Sequence, residues 1–443
     1  MDSRKMKIRP RERDAILQSL RAGVTPRTGL HHIQVGRARE VEALLKDLDR
    51  ILDGGSAFRL IIGAYGSGKS FFLQLVRSIA LEKGLVTLHG DLSPDRRLYS
   101  TGGQARNLYA ELARNLSTRT KPDGGGFPGL VERFLSETRK EAEAEGKPMS
   151  AAIHGRLEKL SELVGGYDFA SVIDAYWNGY ERGDDDLRAN AVRWLRGEFS
   201  TRTDARNALG VRTIIDDANV YDTFKILSLF VRQAGYGGLL VNLDEMVNLY
   251  KLASSKARLS NYEQILRMLN DCLQGTAEAV GFLLGGTPDF LYDPRKGLYS
   301  YEAIQSRLNE NAFAKAAGVT DYDAPILHLG SLTPEELYVL LGNIRNVYAA
   351  GDPAKYLVPD EALAAFLAHC SQKIGEAYFR TPRTTIKAFA DFLAVLEQNP
   401  DIRWNSLIDE IPVEEDRPSD MPEIGERDGE GEAGDDDLTS FTI

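Results

Sequence analysis

Several residue types that carry chemistry are scarce in this chain. Its 443 residues hold two cysteines, Cys272 and Cys370, far apart and outside any CxxC-type spacing. That excludes a disulfide framework and a thiolate zinc site, and it points to a reducing compartment. The six histidines are scattered; His31-His32 is the one adjacent pair, and no HExxH-like spacing occurs, so each reads as an ordinary structural histidine. No apolar run approaches the roughly 20 residues that a membrane helix requires. The opening MDSRKMKIRPRERD is charged, without the apolar stretch that a secretory leader places next. A cytoplasmic protein with no membrane partner is the expectation.

Balanced charge is also missing from one end. Residues 409–443 hold 14 of the 65 acidic residues and 2 of the 54 basic ones, so they account for the formal net charge of −11. The rest of the chain is close to neutral, and the overall acidity does not exclude a nucleic-acid partner for it. This tail is rich in Asp, Glu, Gly and Pro and is expected to be disordered. Its end, DDDLTSFTI, is either a solubilising segment, a peptide ligand for a partner's basic groove, or an electrostatic mimic of nucleic acid.

What the sequence does contain is a phosphate-binding loop in its required setting. The apolar run Phe58 to Ile62 is short enough for a buried strand, and Gly63-Ala64-Tyr65-Gly66-Ser67-Gly68-Lys69-Ser70 then matches GxxxxGK[ST] in full. Phe72, Leu75, Val76 and Ile79 follow at helical spacing. Glycines let the backbone turn so that successive N–H groups converge on phosphate oxygens, and the following helix directs its positive end at the same anion. The nucleotide set is therefore Gly63, Tyr65, Gly66, Ser67, Gly68, Lys69, Ser70 and Phe71. Lys69 reaches the β- and γ-phosphates of ATP, and the Ser70 hydroxyl ligates Mg²⁺.

A second strand, Gly237 to Leu243, ends in Asp244-Glu245. Paired with a phosphate loop, such a terminus assigns Asp244 to the metal and Glu245 to the attacking water as general base. Ala279 to Gly286 reads as a further buried strand ending at Thr287, either a γ-phosphate sensor or a simple strand-end cap. Tyr301 to Leu308 (YEAIQSRL) reads as a short helix carrying Arg307, either an arginine finger for a neighbouring subunit or a surface residue. Leu85 to Leu88 and Pro325 to Leu329 complete five strands.

The remaining segments are helical. Residues 1–30 are basic, with an apolar stripe over Asp14 to Leu20; Ile33, Val35 and Gly36 form an extended approach to an amphipathic helix through Val41, Leu44, Leu45, Leu48 and Leu52. Gly103 to Ser117 reads as a helix, and residues 118–130 as a Gly/Pro-rich exit into an insertion. Helices are expected over 130–144, 151–164, 169–180 and 187–199, then over 222–234 and 261–273. Arg188, Arg193, Arg196, Arg202, Arg206 and Arg212 in that insertion either face nucleic acid or line a solvated surface with the interleaved acids. From Leu332 the pattern is helical only, starting at Thr333-Pro334-Glu335-Glu336, resuming near Pro359 and again over Pro382 to Leu396. Arg383, with Arg380 as the alternative, is the cation such a layer offers to a γ-phosphate.

This order of elements resembles an AAA+ module of the origin-recognition type, over residues 31–400 apart from the insertion. The resemblance implies an α/β P-loop NTPase core, a parallel five-stranded sheet flanked by helices, with a helical insertion and a C-terminal all-α lid. The corresponding divisions are 1–30, 31–118 (first part of the core), 119–221 (insertion), 222–331 (second part), 332–408 (lid) and 409–443 (tail). It also places Ile33, Val35 and Gly36 on the adenine side of the nucleotide. VNLDEMVNLYKL, WLRGEF, LGV at 209–211 and the closing DDDLTSFTI resemble bacterial P-loop proteins of the phage-exclusion (BREX) systems. That resemblance implies an ATPase in an anti-phage assembly, working beside a helicase and on DNA. After the lid there is no room for a winged-helix domain, so DNA contact would fall to the insertion, the N-terminus or the central face of a homo-oligomer. The expected function is ATP hydrolysis coupled to remodelling or loading on DNA. A slowly hydrolysing nucleotide switch is the alternative. A kinase is disfavoured, since no acceptor-site signature accompanies the loop.

Overall fold

Each apolar run that reads as a strand is buried at nearly every position, as a sheet covered on both faces requires. In the computed structural model, which describes residues 8–308 and 310–414, these runs are β1 (Ser56–Gly63), β2 (Val86–Asp91), β3 (Leu239–Asp244), β4 (Val280–Gly286) and β5 (Ile326–Leu329). They pair in parallel in the order β2-β3-β4-β1-β5. The register aligns their C-terminal ends: Asp91 lies opposite Asp244, Ile62 opposite Gly286, and Gly63 opposite Leu329. The phosphate loop, both sequence-assigned carboxylates and Thr287 therefore leave the sheet at one edge, where ligands of open α/β sheets bind. This is a parallel sheet flanked by helices, consistent with a P-loop NTPase-like α/β fold.

One face of the sheet is covered by helices Ala38–Leu52 and Lys69–Glu82, whose Leu44, Leu48, Ile51, Phe72 and Val76 pack on Ile61, Leu240 and Leu283. Their junction includes a buried ion pair: Arg59 of β1 donates to Asp47 at 2.6 and 3.2 Å, and also to the carbonyls of Tyr322 and Ala324. The other face meets helices Gln104–Arg114, Val220–Gln233 and Ser255–Gln274. The helical stretch from Phe127 to Leu209 continues that same core through Phe127, Phe134, Phe169 and Trp194. It is therefore joined to the sheet by apolar packing.

A second core forms between the two ends of the described chain. Ile16, Leu17 and Leu20 of helix Pro10–Arg21 pack with Leu341, Phe366, Phe389 and Leu393 of the C-terminal helices Pro334–Tyr348, Asp360–Ile374 and Arg383–Gln398. Arg13–Glu397 at 2.7 Å and Arg21–Asp391 at 2.9 Å flank this seam. Exposed pairs of that kind contribute little stability, so the apolar face holds the seam together.

Five departures from the sequence expectations concern the elements named above. The helix expected over 151–164 stops at Arg156, and a 3₁₀ turn follows at Glu158–Glu162. The chain then reverses at Gly165-Gly166: Gly165 has φ +84°, and any Cβ at Gly166 would collide with the Leu160 carbonyl. The short helix over 301–308 shrinks to Glu302–Gln305, where Ser306 Oγ bonds back to the Ala303 carbonyl in competition with the helix ladder. Ile33 to Gly36 are not an extended approach. A 3₁₀ turn at Leu30–His32 leads into two left-handed residues, Gly36 (φ 61°) and Arg37 (φ 63°). A helix at Arg202–Leu209 was not anticipated; the Thr201 hydroxyl caps it by accepting from Asp204 N at 3.1 Å.

The fifth departure concerns the acidic tail. Residues 409–414 are folded against the second core, with Ile411 buried and its carbonyl 3.0 Å from His369 Nε2. The DDDLTSFTI end lies outside the described residues. Among the described residues, no helix is long and apolar enough to cross a membrane.

Candidate functional site

β1 delivers the chain into residues 64–68, and helix Lys69–Glu82 begins directly behind them. Gly66 (φ 76°) and Gly68 (φ 86°) take the left-handed conformation that reverses the backbone here. At Gly63 a side chain would strike Ser67 Oγ, a buried hydroxyl that has no hydrogen-bond partner among the described residues. Lys69 Nζ donates to the carbonyls of Gly63 and Ala64, each at 3.0 Å. Burial holds its pKa below the ordinary lysine value, opposed by the charges of Asp244 and Glu245. A lysine held over the loop by weak carbonyl partners, beside an orphan hydroxyl, is a cradle suited to phosphate oxygens.

Ser70 Oγ lies 2.6 Å from Asp244 Oδ2, across 174 residues of sequence. The fit depends on Gly285 in β4, where a Cβ would come 2.5 Å from Asp244 Oδ1. That same Oδ1 accepts from Glu245 N at 2.8 Å, and Glu245 itself takes φ +60°, unusual for a side-chain-bearing residue. Burial raises the Glu245 pKa, and the carboxylates of Asp244 and Asp91 push it further in the same direction. Among the described residues no three His, Cys, Asp or Glu side chains converge as a metal cage. Two hard oxygen donors beside a phosphate cradle are the set that suits Mg²⁺, which takes one or two protein ligands and fills the rest with phosphate and water.

The other sequence-assigned residues divide into those at the loop and those away from it. Arg383 Nη1 donates to Tyr65 OH at 3.2 Å and its Nε to Gly23 O at 2.7 Å, so it touches the loop directly. Arg380 instead pairs with Glu376 at 2.6 Å on an exposed surface. Thr381 between them packs on Gly66, whose hypothetical Cβ would sit 3.1 Å from Thr381 Cα. Thr287 lies at the same sheet edge, and its hydroxyl accepts from Phe290 N at 3.3 Å as the cap of helix Pro288–Tyr292. Arg307 is exposed and donates to the Ala303 carbonyl of its own turn at 2.7 Å. Phe71, Ile33 and Val35 pack together against the second core, and a Cβ at Gly36 would collide with the Glu336 carboxylate.

Four residues near the site escaped the sequence reading. Arg37 reaches Ser67 O at 3.1 Å and also bonds Gly330 O, fastening the outside of the loop; burial lowers its pKa. Arg37 directly follows Val35 and Gly36, which the resemblance places on the adenine side. Gly285 was legible only as part of a Gly-Gly pair. Asp91, at the end of β2, sits opposite Asp244, and Asn242 of β3 is buried beneath both. Nothing in their sequence neighbourhood marks either, because the adjacency arises from strand pairing.

No match was found among curated proteins. The family model described as BREX system ATP-binding protein BrxC/D matches residues 8–411, which spans both cores and every site residue named above. The chain belongs to the BREX system ATP-binding protein BrxC/D family.

Proposed function

We propose that this ATP-binding protein of a BREX phage-defence system is an AAA+ ATPase that hydrolyses ATP to ADP and phosphate. The observation that carries the reading is the Ser70 hydroxyl 2.6 Å from Asp244, with Glu245 turned out of β3 beside it by a left-handed backbone. On binding, Lys69 exchanges the Gly63 and Ala64 carbonyls for β- and γ-phosphate oxygens. Ser70 and Asp244 would hold Mg²⁺. When bound, that ion supplies charge neutralisation on the phosphates. Glu245 accepts the proton of the water attacking the γ-phosphorus, and its raised pKa suits it to that task. Thr287 orients that water or caps its helix. Arg383, bridging Tyr65 and Gly23, couples γ-phosphate occupancy to the C-terminal helices, which then act as a lid.

The exposure of Arg307 supports a role in trans, completing the site of a neighbouring copy in a homo-oligomer. The wider reading places the assembly on DNA beside other defence proteins, a helicase among them, with residues 119–221 as the insertion and 332–408 as the lid. Lys69→Ala and Glu245→Gln test it, by following ATP hydrolysis, duplex DNA binding and mass in solution, each with and without ATP. Lys69→Ala is expected to lose nucleotide, and Glu245→Gln to bind ATP and retain it. Turnover that is independent of protein concentration, of DNA and of Arg307→Ala would overturn the oligomeric DNA-acting version. Tight binding with little turnover and a nucleotide-dependent complex would identify a switch instead.

A further inference from the structure

Beside the Ser70–Asp244 pair lies a cavity of about 160 Å³, lined by both of these residues together with Arg27, His89, Asp91 and Asn242. Two of its polar lining residues are incompletely satisfied. Asn242 is 4% exposed; its Nδ2 donates to Leu73 O at 3.3 Å, while Oδ1 has no partner among the described residues. His89 Nδ1 is buried and equally unpartnered. A buried acceptor left unmade costs about 1–3 kcal/mol, and an open cleft of this size has room for several waters at roughly 30 Å³ each.

Asp91 stands at its mouth. It pairs with Asp244 across adjacent parallel strands, and paired positions project to the same face, so the two carboxylates address one space. Asp91 remains solvent-accessible there; the Arg96 and Arg27 charges act on it from nearby. Mg²⁺ dehydrates reluctantly and keeps several waters in its shell. Those waters need acceptors on the side away from the phosphates.

We propose that Asp91 is a positioning residue for the Mg²⁺ of this site, its carboxylate accepting hydrogen bonds from the water ligands of an ion held by Ser70 and Asp244, with Asn242 and His89 anchoring the same water cluster. The inference rests on the metal assignment made under the proposed function. Outer partners of this kind typically alter metal affinity 10–100-fold when removed.

The experiment is a Mg²⁺ titration of the full chain binding a fluorescent ADP analogue, with EDTA as the metal-free reference. Asp91→Asn is expected to raise the half-saturating Mg²⁺ about 10-fold while leaving the affinity in EDTA unchanged, a split that a merely structural residue would not produce. Asp91→Glu should recover part of the loss, and Asn242→Leu, which removes the chamber's orphan acceptor from a different strand, should shift the midpoint in the same direction. Asp244→Asn and Lys69→Ala are the controls. A wild-type midpoint in Asp91→Asn, beside a shifted one in Asp244→Asn, overturns the inference alone. Unchanged metal dependence in Asp244→Asn with unimpaired nucleotide binding in Lys69→Ala overturns the nucleotide-site reading beneath it.

Discussion

Replacing Asp47 by alanine should be among the most damaging single changes outside the nucleotide site. The Asp47 and Arg59 side chains are 4% and 5% exposed, and two hydrogen bonds of 2.6 and 3.2 Å join them. After Asp47→Ala, Arg59 keeps only the carbonyls of Tyr322 and Ala324, neutral partners for a cation that cannot shed its proton. Breaking a buried pair from one side typically costs about 3–5 kcal/mol, because the surviving charge stays desolvated. Arg50, 3.5 Å from Asp47 but 60% exposed, changes that figure little. Replacing both partners with apolar residues of similar volume, Asp47→Leu with Arg59→Met, removes the stranded charge and should restore most of the loss. Urea unfolding followed by circular dichroism, alongside the midpoint for loss of nucleotide binding, ranks the three proteins. The reasoning fails if the single variant lies within about 1 kcal/mol of wild type, or if the double variant is the less stable of the two.

Four further outcomes are expected. Glu245→Gln should lower ATP turnover by about 10²–10⁴-fold with ATP binding retained, measured by phosphate release and equilibrium binding. Arg307→Ala should abolish any rise of specific activity with protein concentration, and mixing it with Glu245→Gln protein should restore turnover if each supplies what the other lacks. Gly36→Ala forces a side chain into φ 61° and against the carboxylate that caps helix Pro334–Tyr348, so it should cost about 2–3 kcal/mol in thermal unfolding. His89 is held neutral by burial, its pKa lowered to about 3 from 6.5, so the unfolded chain binds the extra proton as pH falls below 6.5. Its contribution is full above that value and declines below it, by roughly 2 kcal/mol at pH 5, and His89→Gln should flatten this part of the stability profile.

The five strands were readable because each carried a continuous apolar run, and those of β1 and β3 lead into a glycine-rich loop and a carboxylate pair. Lys69, Ser70, Asp244 and Glu245 follow from such signals, and the fold brings Ser70 and Asp244 into contact. The placement of Asp91, Asn242 and Gly285 beside Asp244 depends on which strands are neighbours, an order that no local signal in the sequence marks. Arg37 depends on a left-handed backbone at a non-glycine residue, which propensity would not assign. The same limit explains Ile411, an apolar residue inside an acidic stretch whose composition alone argued for disorder. Composition averages over a window, whereas a single anchoring side chain decides where packing ends.

The second core has a consequence for how the chain is made. Helix Pro10–Arg21 is the first described element to leave the ribosome, yet Arg21 meets Asp391 across 370 residues. At about 5–20 residues per second that interval is on the order of 20–70 s. For most of it, Ile16, Leu17 and Leu20 lack the C-terminal helices that complete their cover. The sheet, by contrast, is complete once β5 emerges. The earliest helix is thus among the last to be seated, and a nascent chain released before its final helices would carry an apolar stripe at its front end, a mark by which quality control could distinguish finished molecules from truncated ones.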